Sequence, residues 1–131
     1  MRTAPDLIRD ERGASAIEFA VAVPVLLIFI IGIIQLGILF MANAGLQQAV
    51  EEGARYATIY PNPSDTAIAT HVTDSKFGLQ SANIIGPSVS HGTTSGVNYV
   101  DVTMSYTVPL NFVLFETAPV VLSHTRRAYQ P

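Results

Sequence analysis

Apolar residues gather in one unbroken block of 24 residues from Phe19 to Ala42 (FAVAVPVLLIFIIGIIQLGILFMA), which carries no charge and one strongly polar side chain, Gln35. As a helix this block covers about 36 Å, enough to cross a hydrocarbon core of about 30 Å with some tilt. A small soluble domain can hardly surround a helix that is apolar on every face, because even a core helix normally keeps a polar stripe. The block therefore reads as a membrane span. Two rivals stay open. One is a buried core helix. The other is a secretory signal peptide, for which Ala42-Asn43-Ala44 offers a small-residue cleavage pattern, although the run exceeds the usual apolar length of about 7–15 residues. Arg2, Arg9 and Arg12 precede the block, and only Arg55 follows it closely, which places the N-terminus in the cytoplasm and residues 43–131 across the membrane.

The pattern then changes period without a break. Over residues 43–60 (NAGLQQAVEEGARYATIY), Gly45, Leu46, Ala49, Val50, Gly53, Ala54, Tyr56, Ala57 and Tyr60 share one half of a helical wheel. Gln47, Gln48, Glu51, Glu52, Arg55 and Thr58 fill the other half, with Ile59 as the misfit. Glu51 and Arg55 have the spacing of an i,i+4 ion pair on the wet side. The membrane helix should run on to about Ile59, where Pro61-Asn62-Pro63 stops it. Gly45, Ala49, Gly53 and Ala57 recur every fourth residue as a flat strip that admits a close backbone. That strip is either a subunit-packing seam or the seat of the chain's own sheet. Pro24 either loosens the helix inside the membrane or is simply tolerated there.

The remainder reads as a small cap. Ser64 and Asp65 can cap a short helix reaching about Lys76, with Ile68 and Val72 inward and Phe77 a further inward candidate. A short strand is expected around Asn83–Ile85, followed by a mobile loop or hairpin end over residues 86–96 (GPSVSHGTTSG). From Val97 to Val108, Val100, Val102, Met104, Tyr106 and Val108 alternate with Asp101, Thr103, Ser105 and Thr107, the strongest strand signal in the chain. Residues 109–119 are apolar and bounded by prolines, which suggests a connection pressed against the sheet or its membrane-side end. A last strand from Val120 to about Tyr129 completes an antiparallel pair. The expected fold class is α+β: a long N-terminal transmembrane and amphipathic helix followed by a small antiparallel sheet cap.

Composition narrows the function. The chain has 131 residues, room for one domain. Seven basic against ten acidic residues give a net charge of −3 with no basic run, which argues against a nucleic-acid partner. There is no cysteine, so thiol chemistry, thiolate metal sites and disulfides are excluded. His71, His91 and His124 lack any metal-ligand spacing, and Asp65, Asp74 and Asp101 form nothing like a calcium loop. No nucleophile elbow or phosphate loop occurs. No catalytic residue, metal site or cofactor is expected, and the chain does not read as an enzyme.

The junction Arg12-Gly13-Ala14-Ser15-Ala16-Ile17-Glu18-Phe19 carries the sharpest signal. Glu18 stands at the lip of the apolar block, where a carboxylate is costly unless wetted or paired. Its plain reading is an interfacial Glu favoured by the helix dipole. A cut after Gly13 would instead create an ammonium on Ala14, four residues before Glu18 on the same helix face. The junction resembles the class III signal sequence of type IV pilin-like proteins: a Gly, a cleavage, then Glu at mature position five opening a long apolar helix. The longer string from Arg12 to Phe40, together with GARYA at 53–57, resembles the TadE-like pseudopilins of tight-adherence (Flp) pilus systems. Phe19 after Glu18 favours that class over the major Flp pilins, which usually carry Tyr there. The likeness covers residues 12–58. It is weak beyond them, where only VPLNFVLFE and the last strand look familiar. Gln35 stands where the family often has an acidic residue, and Ile38 where a basic or large one is common, so no intramembrane ion pair carries over.

The resemblance implies a bacterial inner-membrane, single-pass, pilin-like protein with a periplasmic C-terminal domain that can enter an extracellular pilus. Its organisation would be a cytoplasmic leader over residues 1–13, a helix over 14–60 (19–42 spanning, 43–60 exported) and an exported cap over 61–131. Prepilin peptidase would cut between Gly13 and Ala14. Ala14, Glu18 and Phe19 would serve charge pairing at the helix start and assembly. The implied partners are that peptidase, other pilin or pseudopilin subunits, the pilus assembly platform in the membrane and the lipid bilayer. The competing function is a signal-anchored periplasmic or extracellular binding module, with the helix as a tether and the sheet cap recognising a ligand.

Overall fold

A computed structural model describes residues 11–112 and 117–130. The first ten residues of the expected leader, and residues 113–116 of the apolar connection, lie outside the described residues. The chain divides into two compact units, Met1–Gln35 and Leu36–Pro131.

Helix α1 spans Glu11–Tyr56 and carries Pro24 within it. In the first unit its apolar side chains face outward all round: Ile17, Phe19, Val21, Leu26, Phe29 and Ile33 are all more than half exposed. Nothing within that unit buries them, which is the condition of a helix built for a lipid solvent. One helix of the chain, over Ser15–Tyr56, is long and apolar enough to cross a membrane.

In the second unit the same helix is amphipathic. Ala42, Gly45, Leu46, Ala49, Val50, Gly53, Ala54 and Ala57 are buried, while Gln47, Gln48, Glu51 and Arg55 are exposed. The helix closes at Tyr56, three residues before the expected stop near Ile59. The Thr58 and Ile59 amides bond to the Arg55 and Tyr56 carbonyls at 3.2 and 3.1 Å, and the Thr58 hydroxyl also donates to the Arg55 carbonyl. The last turn thus tightens to i→i+3 bonding before the prolines are reached.

Helix α2 covers Asp65–Asp74, with Ser64 as N-cap accepting from the Ala67 amide and with Ile68 and Val72 buried. It ends at Asp74, short of Lys76, its last turn closed by the Ser75 amide on the His71 carbonyl. Phe77, a candidate for the interior, is 43% exposed. After a single 3₁₀ turn at Ser81–Asn83, strands β1 (Ile84–Thr94), β2 (Val97–Val108) and β3 (Val120–Tyr129) form an antiparallel sheet in the order β1-β2-β3.

The expected loop over 86–96 is corrected by this sheet: residues through Thr94 are strand, and only Ser95 and Gly96 turn the chain. Both adopt positive φ, 51° and 78°, as the two central residues of a type I′ hairpin turn require. Gly86 (φ 97°) sits where the β1 register shifts between Ile85 and Ser88, a conformation that only glycine takes cheaply. The sheet therefore has three strands: the short strand expected around Asn83–Ile85 runs on to Thr94 and joins the pair expected over 97–129.

β2 holds the centre. Val100, Val102, Met104, Tyr106 and Val108 are all buried and, with Ala128 of β3 and Ile68 and Val72 of α2, pack on the C-terminal half of α1. The opposite face is wet and hydroxyl-rich, with Thr103–Thr125 and Ser105–Ser123 bonded across the strands at 2.8 and 2.9 Å.

Candidate functional site

The head of α1 is the first candidate. Gly13 lies inside the helix, exposed, with open space where a β-carbon would stand. Ala14 follows in the same helix. Glu18 and Phe19 are exposed one turn further on, Phe19 at 71%. Glu18 borders an open hollow along one helix flank, walled by Ile17, Val21, Ala22, Val25 and Phe29. A carboxylate at the rim of an otherwise apolar surface is costly in lipid unless a cation or water meets it. The arrangement brings a carboxylate and an apolar flank together on one helix.

The small-residue strip is placed differently. Gly45, Ala49, Gly53 and Ala57 are buried beneath the chain's own cap. A β-carbon at Gly45 would collide with the Phe77 carbonyl, and one at Gly53 with the Val72 side chain. Of its two sequence readings, the folded chain displays the intramolecular seat. Close backbone approach was legible in the spacing; the identity of what approaches was not.

Polar groups on the cap form three local clusters. Glu52 accepts two bonds from Arg55, at 2.9 and 2.6 Å, and lies 3.3 Å from His71 Nε2. His71 in turn stacks on Tyr56 with ring centroids 4.4 Å apart. Arg55, then His71, hold the Glu52 carboxyl below its ordinary range. The expected Glu51–Arg55 pair is corrected here, because Arg55 reaches Glu52 and Glu51 instead meets Gln47. A second cluster joins α2 to β1, His91 Nε2 lying 2.7 Å from Asp65 Oδ1.

The third cluster lies on the outer sheet face. Arg127 grips Asp101 with two bonds of 2.8 and 2.7 Å and lies 3.7 Å above the Tyr99 ring. Tyr99 meets Tyr129 edge-on and overhangs Gly92, where a β-carbon would strike its ring. Arg127 holds the Asp101 carboxyl below its ordinary range, and the guanidinium rises in return. These residues were missed in the sequence because the pairing exists only once Asp101 and Arg127 face each other in register. Among the described residues no group of three potential metal ligands occurs.

One open cleft of about 750 Å³ runs between the wet face of α1 and β3. Its walls carry both signs of charge, Glu51 and Glu52 against Arg55, Arg126 and Arg127, so it selects neither an anionic nor a cationic ligand.

With this geometry in place, comparison with known proteins bears on one segment. Residues 13–55 match the family model described as TadE-like protein, a structural, pilus-associated family. The matched segment opens on Gly13 and closes on Arg55, one residue before α1 ends. No curated protein and no solved structure matches the chain.

Proposed function

We propose, from the TadE-like signature of residues 13–55, that this chain is a non-enzymatic pilin-like subunit of a tight-adherence pilus. The observation that carries the reading is the coincidence of that match with α1, an exposed apolar helix headed by Gly13, Ala14 and Glu18. The chain enters the bacterial inner membrane with its N-terminus cytoplasmic and its cap periplasmic. Prepilin peptidase removes residues 1–13 and leaves the anchor in place. Because the scissile bond precedes the anchor, cleavage frees an amine at the helix head without releasing the protein.

Packing of α1 against other pilin or pseudopilin helices then drives assembly or its initiation. The surface is suited to this: outside lipid, its exposed apolar side chains gain by burial against one another. The Glu18 carboxylate finds its cation in the new Ala14 amine of its own or a neighbouring chain. Intact mass of the membrane-extracted protein tests the scheme, with the expected mature chain starting at Ala14. Replacing Gly13 with Leu should leave the full-length precursor; an unchanged mature N-terminus in that variant rejects the processing site. Glu18→Ala should reduce pilus assembly while the cap stays folded.

A further inference from the structure

We infer that the rim of the cap formed by Phe77, Ile85 and Val121 rests in the phospholipid headgroup layer, making the cap an interfacial membrane contact in its own right. The inference builds on the reading of α1 as membrane-inserted, and it concerns a surface which that reading leaves unused.

The order of contacts along α1 fixes which end of the sheet meets the bilayer. Near the helix end, the Ala57 carbonyl accepts from the Gln130 side chain, and the Gln130 amide bonds to the Asn98 carbonyl. One turn back, Gly53 lies against Val102. Two turns further back, Gly45 lies against Phe77 and Leu79, and Gly78 against Met41. Residues 77–80 join the far end of β2, where the Gln80 amide donates to the Tyr106 hydroxyl and Ile84 pairs with Tyr106. Thus β2 descends α1 toward the apolar block, and the Tyr106–Val108 end of the sheet is the membrane-side end.

That end falls at a definite depth. The apolar block stops at Ala42, where Asn43 follows, and a headgroup layer about 6 Å thick corresponds to roughly four further helix residues. Phe77 and Gly78 cross the helix at Met41 and Gly45, within that layer. Gly78, at φ 65°, turns the chain there in a backbone conformation that side-chain-bearing residues rarely adopt.

The rim is apolar and open. Phe77 is 43% exposed, and Met41, against which Gly78 lies, is 49% exposed. Ile85 pairs with Ser105 and Val121 with Thr107, so both stand on the outer sheet face at this same end, 60% and 59% exposed. On α1 at the same level, Phe40 and Met41 are exposed as well, at 69% and 49%. An aromatic ring at headgroup level has a favoured place in a bilayer, and apolar side chains just above the hydrocarbon gain by sinking into it.

The chain contains no tryptophan, so single Trp substitutions report without background. Phe29→Trp, Phe77→Trp, Ile85→Trp and Tyr60→Trp would each be placed in the full chain, in phosphatidylcholine–phosphatidylglycerol vesicles with brominated acyl chains. Tyr60, 83% exposed beyond the helix end, is the far-end reference. Quenching at position 77 or 85 roughly twofold greater than at 60, with blue-shifted emission, is the expected result for an interfacial ring. Water-like, unquenched emission at both 77 and 85 while 29 is quenched overturns the seating and leaves the membrane helix standing. Equal quenching at 60 and 77 also overturns it, since the cap would then lie bodily in lipid. No quenching at 29 overturns both readings. Near-UV circular dichroism identifies a variant that fails to fold, and the probes at 77 and 85 are independent of each other.

Discussion

The two halves of α1 are one secondary structure written for two solvents. From Phe19 to Phe40 nearly every large side chain is exposed, and no face of the helix is polar. From Ala42 to Ala57 one stripe is buried to a few per cent or less and the other is charged. Helical bonding is the same in both. What differs is what covers the side chains: nothing within its own unit in the first half, a sheet and a second helix in the other.

Truncating one residue type on either side tests that contrast most severely. Leu46 is fully buried and Leu36 is 54% exposed. Leu46→Ala should destabilise the cap by about 2–5 kcal/mol through lost burial and the cavity left behind. Leu36→Ala should leave cap stability unchanged. Urea unfolding in mild detergent, followed by the tyrosine near-UV signal, measures both. Equal losses would mean that the helix halves unfold as one and that the division of labour is wrong.

Glycines sharpen the same contrast with smaller changes. At Gly32 and Gly37 a β-carbon meets nothing within 4 Å, whereas at Gly45 and Gly53 it meets the cap. Alanine at 45 faces a backbone carbonyl that cannot swing aside, and overpacking of this kind costs about 1–3 kcal/mol. Alanine at 53 meets the Val72 side chain, which is β-branched and fully buried and so has little room to yield, and its loss should be of the same order. Alanine at 32 or 37 should not weaken the cap, since alanine is the better helix former. The same urea titration separates them: 45 and 53 lose stability, 32 and 37 do not.

How far these features were legible follows from where the chain faces a uniform solvent. The apolar run from Phe19 to Ala42 was readable because Gln35 is its one strongly polar side chain, and the structure leaves nearly all of its large side chains exposed. β2 and β3 begin and end at the expected residues, since β2 presents one wholly buried face against Thr, Ser and Asp on the other. β1 was legible only at its start, around Asn83–Ile85, and its continuation to Thr94 was hidden for the opposite reason. As an edge strand of Ser, His, Gly and Thr it is half wet on both faces, and its hairpin depends on two positive φ angles at Ser95 and Gly96 rather than on hydrophobic alternation. The choice of Glu52 over Glu51 by Arg55, and of Asp101 by Arg127, turns on rotamer and register, which residue spacing does not encode.

The smallest expected effect is electrostatic, and it too separates the halves. Asp101 is held below its ordinary carboxyl range first by its hydrogen bonds to Arg127. A depressed folded-state pKa stabilises the fold above the unfolded value, and that contribution fades as pH falls through the lowered one. Asp101→Asn should therefore cost stability at neutral pH. The gap between wild type and variant should close as pH drops below about 4, where the unfolded carboxyl takes up its proton. Arg127 is 43% exposed and Asp101 20%, so solvent and salt still screen the pair, and the gap should be small and should shrink in salt. Acid should also loosen the cap before the apolar half of α1, because from Phe19 to Ala42 the helix carries no titratable group. Near-UV signal lost at low pH with far-UV helicity partly retained is the expected signature. Simultaneous loss of both would show that the apolar half depends on the cap for its helix, and the contrast between two solvents would give way to a single cooperative fold.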